Sequence, residues 1–86
     1  MTLVWDGHAW DDYLWWQTED RKVLRRINQL IEDIKRNGND GIGKPEPLKH
    51  GFQSYWSRRI TDEHRLIYKV AGDEIRIAAC RYHYGK

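Results

Sequence analysis

Residues 56–70, WSRRITDEHRLIYKV, decide the fold, because they read as the two strands of an antiparallel hairpin. Apolar and polar side chains alternate on both sides of residues 62–64, which is the period of a half-buried strand. We predict that residues 56–61 pair with residues 65–70 around a three-residue loop. In that arrangement one face of the hairpin belongs to the core and carries Trp56, Ile60, Leu66, Tyr68 and Val70.

The loop length also decides where two arginines point. With three loop residues, Arg59 and Arg65 share the solvent face of the hairpin. With two, Arg59 would face Leu66 inside the core, and burying an unpaired guanidinium is costly. The three-residue loop is therefore favoured, and we expect one face of the sheet to be open, polar and basic.

The chain on either side extends this sheet. Gly72 and Asp73 turn into a third strand over residues 75–82, since both residue types enter turns at little conformational cost. Residues 3–5 and 48–50 read as two further short strands. Strict alternation along the third strand places on the core face Ile75, Ile77, Ala79, Arg81 and His83.

Two helices are expected before the hairpin. The stronger one starts near residues 18–20, ends at Asn37-Gly38 and carries one apolar stripe: Val23, Leu24, Ile27, Leu30, Ile31 and Ile34. The earlier helix follows Asp6, a candidate N-cap, and continues to Gln17. Residues 37–47, NGNDGIGKPEP, form a loop in which Lys44 and Glu46 should be extended, because each precedes a proline.

Composition limits the class of protein. At 86 residues, with 40% hydrophobic and 33% charged side chains, the chain is expected to be one globular domain over residues 1–86. The predicted fold class is α+β, with two N-terminal helices on one face of a twisted, mainly antiparallel sheet of four to five strands. Five Trp and five Tyr supply bulk for so small a core. The N-terminus lacks a signal-peptide layout and no apolar run approaches a membrane span, so a cytoplasmic protein is expected.

The single cysteine and the histidines are weak candidates for chemistry. Cys80 excludes an internal disulfide framework and cannot form a thiolate zinc site by itself, so it is interpreted as a buried, small apolar residue. The spacing of His8, His50 and His64 does not resemble that of metal ligands. These three are interpreted as surface or turn residues.

The charge distribution points to a polyanionic partner more than the net charge of +2 does. Residues 44–65 hold a local basic excess, and binding to polyanions depends on such local fields. Cleavage of RNA through the 2′-hydroxyl needs a base, an acid and positive charge at the phosphate. Those groups are present as Glu46, His83 and Arg65, with Lys49 and Arg59 as further phosphate contacts and Tyr82 or Tyr84 as a ring for base stacking.

Each of these residues also has a plain structural interpretation. Glu46 could be a solvated loop carboxylate, and Arg59 and Arg65 could belong to a solvated sheet face. His83 lies near a chain end, where fraying is common, and the tyrosines could simply cap the core. Residue patterns alone therefore support a basic-faced α+β domain that could bind RNA.

Several blocks of sequence resemble the YoeB toxins of the RelE/ParE superfamily. They cover nearly the whole chain in order: WDDYL (10–14), KPEPLKH (44–50), WSRRIT (56–61), EHRL (63–66) and AACRYHY (78–84). The family ends at the tyrosine of the last block, whereas Gly85-Lys86 follow here. Blocks at matching separations are more specific than any one of them would be.

The resemblance implies a RelE-like fold of the microbial-ribonuclease type and a toxin of a type II toxin–antitoxin system. Such a toxin is an mRNA interferase that cleaves messenger RNA in the ribosomal A site by attack of the 2′-hydroxyl, without metal or cofactor. By matched position, Glu46 would be the general base, His83 the general acid and Arg65 the residue that stabilises the scissile phosphate. Lys49 and Arg59 would support the phosphate, and Tyr84 would orient or stack the substrate nucleotide.

The implied partners are a YefM-type antitoxin, messenger RNA, the small ribosomal subunit and a second copy of the toxin, with no membrane. Two alternatives stay open, namely a ParE-like inhibitor of DNA gyrase and a non-catalytic RNA- or ribosome-binding module. The acid–base pair Glu46 and His83 separates them, because neither alternative needs it. For His83 to meet Arg65, the last strand must contain a bulge or end early.

Overall fold

The computed structural model describes residues 1–49 and 54–82. Within these ranges the helices are α1 (Gly7–Glu19) and α2 (Arg21–Asn37), and the strands are β1 (Thr2–Trp5), β2 (Glu46–Pro47), β3 (Trp56–Arg59), β4 (Arg65–Ala71) and β5 (Glu74–Ala79). The strands form one sheet in the order β1-β5-β4-β3-β2, in which β1 is parallel to β5 and the other pairs are antiparallel. The α+β prediction is confirmed. His50, His83, Tyr84 and the Gly85-Lys86 extension lie outside the described residues.

The second helix forms as predicted. Its N-cap is Asp20, whose carboxylate accepts hydrogen bonds from the backbone amides of Lys22 and Val23. Gly38 ends the helix at φ +63, where a residue with a Cβ would be strained. The apolar stripe faces the sheet and is buried at Val23, Ile27, Leu30, Ile31 and Ile34.

The first helix begins after Asp6, which is its N-cap residue as predicted, although its side chain does not cap the helix. The Asp6 carboxylate makes no capping bond and instead accepts from Nη1 of Arg76 at 2.9 Å. The parallel pairing of β1 with β5 sets Val4 beside Arg76, which brings this cation within reach. The helix buries Trp16, and the same core cluster contains Tyr68 on the sheet.

The hairpin keeps the predicted faces with a different register. Arg59 pairs with Arg65 across β3 and β4, so the loop spans five residues, 60–64, rather than three. The prediction of loop length was wrong, yet a slip of two residues preserves which side chains share a face. Arg59 and Arg65 therefore lie together on the face opposite the helices, as predicted.

Alternation along β3 places a third arginine, Arg58, on the core face, where it is fully buried. Its guanidinium has an acceptor for each of its five N–H donors: Tyr68 Oη (3.2 Å), the Asp33 carboxylate, and the carbonyls of Ile42 (3.0 Å), Gly38 (2.7 Å) and Asp40 (2.8 Å). A buried charge is tolerated only when paired and hydrogen-bonded in this way. Arg58 thus fastens the loop after α2 to both the helix and the sheet.

We expect the ion pair between Arg58 and Asp33 to make the stability of the fold sensitive to acid. The hydrogen bond from Arg58 lowers the pKa of the Asp33 carboxyl, and it outweighs desolvation, which raises that pKa; the Ile42 amide adds to the lowering. A carboxyl with a depressed folded-state pKa stabilises the fold above its unfolded value of about 3.9, and this contribution disappears as the pH falls through the folded-state pKa. Urea unfolding between about pH 2 and 6 should therefore show a steeper acid loss in the wild type than in Asp33→Asn. If the free energy of unfolding fell equally steeply with pH in both proteins, the contribution assigned to Asp33 would be contradicted.

The loop that leads to β2 departs from one prediction. Lys44 has φ +51, so it is not extended, although Glu46 is extended within β2 as predicted. The chain turns at Gly43, which has φ +81. The carbonyl of Gly43 accepts a hydrogen bond from the Arg59 amide at 2.7 Å. The strand predicted at residues 48–50 begins earlier, at Glu46, and ladder-like bonding continues as far as Leu48, whose amide donates to Tyr55.

The last strand breaks its alternation. Ile75 and Ile77 face the core as predicted, but a bulge at Ala78 lets Ile67 pair with Ala79 on the opposite face. Strand β5 then ends at Ala79, and Tyr82 adopts φ +62. Ala79 is buried as predicted (3% exposed) but on the other face of the sheet. The core position predicted for Arg81 was wrong, because its guanidinium lies over the ring of Trp15 at 3.6 Å.

Cys80 follows the bulge into the core, which confirms its interpretation as a buried apolar residue. Desolvation, with a smaller contribution from the charge of Asp12, raises the pKa of the thiol to about 12. In the part of the chain that the structure describes, neither helix is long and apolar enough to cross a membrane.

Candidate active site

The open face of the sheet contains a polar cavity between β2, β3 and β4. It is lined by Lys44, Glu46, Leu48, Ser57, Arg59, Arg65 and Ile67. Sheet register brings these side chains together, because Glu46, Ser57 and Ile67 form one row across three strands and Arg59 and Arg65 form the next. Three cations and one carboxylate thus surround a single depression.

Arg65 is held by the hairpin turn that precedes it. Its Nη1 donates to the carbonyls of Thr61 (2.7 Å), Asp62 (3.2 Å) and His64 (3.0 Å). Partial burial, and then repulsion from Arg59, lower the pKa of the Arg65 guanidinium, while Asp62 and Glu46 act in the opposite direction. The group stays charged at neutral pH, and in this partly dehydrated position it acts more strongly on a nearby anion than it would in water.

Arg59 places a second guanidinium directly across from Arg65. Like charges at opposed positions of a ladder are destabilising, and the Asp62 carboxylate, 3.8 Å from Nη1, partly offsets the charge of Arg59. Its Nε is buried and has no hydrogen-bond partner within residues 1–49 and 54–82. An anion bound in the cavity would offset the repulsion between the two guanidinium groups.

Glu46 is the carboxylate of the cavity. It lies exposed on the edge strand β2, opposite Ser57 of β3, and its charge contributes to the pKa of Arg65. Arg58 and the Gly43 carbonyl hold the preceding loop against the sheet. The position of Glu46 therefore depends on a loop that is anchored, although the carboxylate itself meets solvent.

The remaining predicted phosphate contact, Lys49, is exposed and lies outside the set that lines the cavity. Lys44 supplies the third cation instead, and sequence reasoning did not single it out. The signal was present, since Lys44 belongs to the same basic segment two residues before Glu46. Ser57 was missed as well, although strand alternation places it on the same face as Arg59.

Tyr82, the last described residue before His83 and Tyr84, lies beside Arg65. The Tyr82 carbonyl accepts from the Arg65 amide at 3.1 Å, and the Tyr82 amide donates to Nδ1 of His64 at 2.7 Å. The interpretation of His64 as a surface or turn residue needs correction, because the residue lies in the turn but is only 9% exposed. Its burial comes from contact with Trp16, far away in the sequence.

The assembled groups suit acid–base chemistry at a phosphate. A carboxylate can accept a proton, and two guanidinium groups and an ammonium group can hold a phosphate as negative charge builds on it. Among residues 1–49 and 54–82, no three His, Cys, Asp or Glu side chains converge as metal ligands would.

Known proteins match this chain over almost all of its length. Toxin YoeB from Escherichia coli K12 is 56% identical over 84 residues, which cover 98% of this chain and 100% of the relative. Toxin YoeB from Streptomyces coelicolor is 52% identical over 84 residues, with the same coverage. Among solved structures, a YoeB/ParE toxin from Agrobacterium tumefaciens superposes with a TM-score of 0.94 at 49% identity, covering 98% of this chain and 100% of that one.

The family model that matches residues 5–84 is described as a YoeB-like toxin of bacterial type II toxin–antitoxin system. The matched segment includes all of α1, α2 and β2 to β5, and therefore the whole cavity. The chain belongs to the family of YoeB-like toxins of bacterial type II toxin–antitoxin systems.

Proposed function

We propose that this toxin is a ribosome-dependent endoribonuclease that cleaves messenger RNA in the A site without a catalytic metal. The observation that carries the proposal is the placement of Glu46 in one cavity with Arg59 and Arg65. A base beside two guanidinium groups is what attack by a 2′-hydroxyl on its own phosphate requires.

In this mechanism Glu46 takes the proton of the 2′-hydroxyl as that oxygen attacks phosphorus. The bond from phosphorus to the 5′-oxygen breaks, and His83 protonates the leaving oxygen. Arg65 stabilises the negative charge that builds on the phosphate, with Arg59 and Lys49 in support, and Tyr84 orients the nucleotide. The products are a 2′,3′-cyclic phosphate and a 5′-hydroxyl, so no water is consumed in the cleavage.

The partners are proposed from similarity. Solved relatives from Staphylococcus aureus include a YoeB dimer, 46% identical with a TM-score of 0.93 over 98% of each chain, and a YoeB–YefM complex, 45% identical with a TM-score of 0.91. We propose that this toxin also forms a homodimer and is inhibited by a YefM-type antitoxin. Its targets, messenger RNA and the small ribosomal subunit, place its action in the cytoplasm.

The test is cleavage of a defined messenger RNA on programmed ribosomes, with the magnesium that ribosomes need and with transition metals removed by phenanthroline. We expect cuts confined to the A-site codon, with a 2′,3′-cyclic phosphate on the upstream fragment and a 5′-hydroxyl on the downstream fragment. A parallel assay measures supercoiling by DNA gyrase. Intact messenger RNA together with blocked gyrase would show a ParE-like inhibitor, and ribosome binding without cleavage would show a binding module.

A further inference from the structure

We propose that His64 is a positioning residue for RNA cleavage, because its imidazole fixes the backbone of Tyr82 and thereby the chain that continues into His83-Tyr84. The inference rests on the proposed function and adds to it a residue that lies outside the cavity. In this scheme His64 acts through Tyr82, whose amide it binds.

The imidazole of His64 is buried in a defined orientation. Its ring stands edge-on to Trp16, with 4.8 Å between ring centroids, and lies 5.1 Å from the ring of Tyr82. Nδ1 accepts the Tyr82 amide at 2.7 Å. A nitrogen that accepts carries no proton, so the proton of the neutral ring sits on Nε2, 3.6 Å from the Glu63 carboxylate.

The peptide group on the other side of Tyr82 is held by Arg65, the residue that follows His64 in the hairpin. The Tyr82 carbonyl accepts from the Arg65 amide, so His64 and Arg65 bind the two sides of one residue. Tyr82 has φ +62, a conformation that is uncommon for residues other than glycine and persists only when the surroundings hold it. Without the imidazole acceptor, the backbone of Tyr82 keeps its hydrogen bond to Arg65 but loses the one to His64. The direction in which the chain leaves Tyr82 is then less restrained.

His64 also orients the guanidinium of Arg65 through its main chain. The His64 carbonyl accepts from Nη1 of Arg65 at 3.0 Å, and from the amides of Ile60 and Thr61. The main chain of His64 thus orients the group that holds the phosphate, and its side chain orients the segment that carries the proposed acid. One residue therefore contacts both Arg65 and Tyr82.

A purely structural role for His64 in core packing predicts different effects of substitution from a positioning role. Packing needs the ring, whereas positioning needs an acceptor at Nδ1. His64→Phe keeps a ring between Trp16 and Tyr82 without an acceptor, and His64→Asn keeps an acceptor near the position of Nδ1 without the ring. The two variants therefore separate the roles.

The experiment compares single-turnover cleavage of two messenger RNAs on programmed ribosomes, one with sulfur in place of the scissile 5′-oxygen. A thiolate leaves without protonation, so only the oxygen substrate needs the acid. We expect His64→Phe to cleave the oxygen substrate about 10- to 100-fold more slowly, because a misplacement of about 1 Å can cost that much. It should cleave the sulfur substrate at the wild-type rate, and His64→Asn should stay near wild type on both.

The controls separate the two levels of the proposal. His83→Gln should show the same rescue by sulfur, and if it does not, the assignment of the acid fails and this inference with it. Loss of A-site cleavage by the wild type is the separate result that would overturn the proposed function. If His83→Gln is rescued and His64→Phe is slow on both substrates, the positioning role of His64 is overturned. A scalar coupling across the hydrogen bond between the Tyr82 amide nitrogen and Nδ1, measured in the wild-type toxin, supplies an independent readout. Its absence would also overturn the inference, even if neither variant folds.

Discussion

Glu46→Gln is expected to slow cleavage of messenger RNA by about 10²- to 10⁴-fold, which is the contribution of a positioned general base. Glutamine keeps the size of the side chain but cannot take the proton of the 2′-hydroxyl. The side chain is exposed on an edge strand, and burial of core residues does not depend on it. Thermal unfolding of the variant should therefore match that of the wild type.

Asp62→Asn is the matched control for this change. The Asp62 carboxylate also acts on the pKa of Arg65, yet it is not among the side chains that line the cavity. Removing its charge alters the field at Arg65 without removing a base, so the cleavage rate should change only a few-fold. Equal losses in the two variants would mean that Glu46 acts through charge alone and is not the base.

Arg58→Met is expected to lower the free energy of unfolding by about 3–5 kcal/mol, the usual cost of removing one partner of a buried ion pair. The variant leaves the Asp33 carboxylate and the carbonyls of Gly38, Asp40 and Ile42 without their donor. A domain of this size has a total stability of roughly 5–15 kcal/mol, so the loss is a large fraction of it. Urea unfolding at neutral pH measures the difference.

Lys35→Met provides the comparison, because Lys35 pairs with Glu32 on the same helix as Asp33 but at the surface. An exposed pair contributes about 0–1 kcal/mol, so this variant should be nearly neutral. If Arg58→Met also cost less than about 1 kcal/mol, the buried guanidinium would not be what anchors the loop to the helix. The loop leads directly to Glu46, so we expect the Arg58 variant to lose cleavage activity as well.

Much of the fold followed from local patterns. The stripe along α2 and its start near residues 18–20 are readable within a few residues of sequence. The faces of the hairpin were also predictable, because a register error of two residues changes the loop but not the side on which Arg59 and Arg65 lie. Both arginines were therefore placed on the open face from alternation and from the cost of burying an unpaired guanidinium.

Other features depended on contacts that local patterns do not report. The left-handed conformation of Lys44 follows from the bond between Gly43 and Arg59, which overrides the extended preference of a residue before proline. The bulge at Ala78 depends on how β5 meets β4. Lys44 lines the cavity for the same reason, since the turn at Gly43 directs the chain back onto the sheet.

The sequence by itself determined the two helices, the order of faces along the hairpin strands β3 and β4 and the basic character of the open face, because these follow from periodicity over neighbouring residues. Only the tertiary structure decided which polar groups become buried and which partners they bind. Arg58 meets Asp33 from 25 residues away, and His64 meets Tyr82 from 18 residues away. Such bonds form only after helix and sheet have packed, so the placement of Glu46 and of the chain leading to His83 is a property of the packed fold.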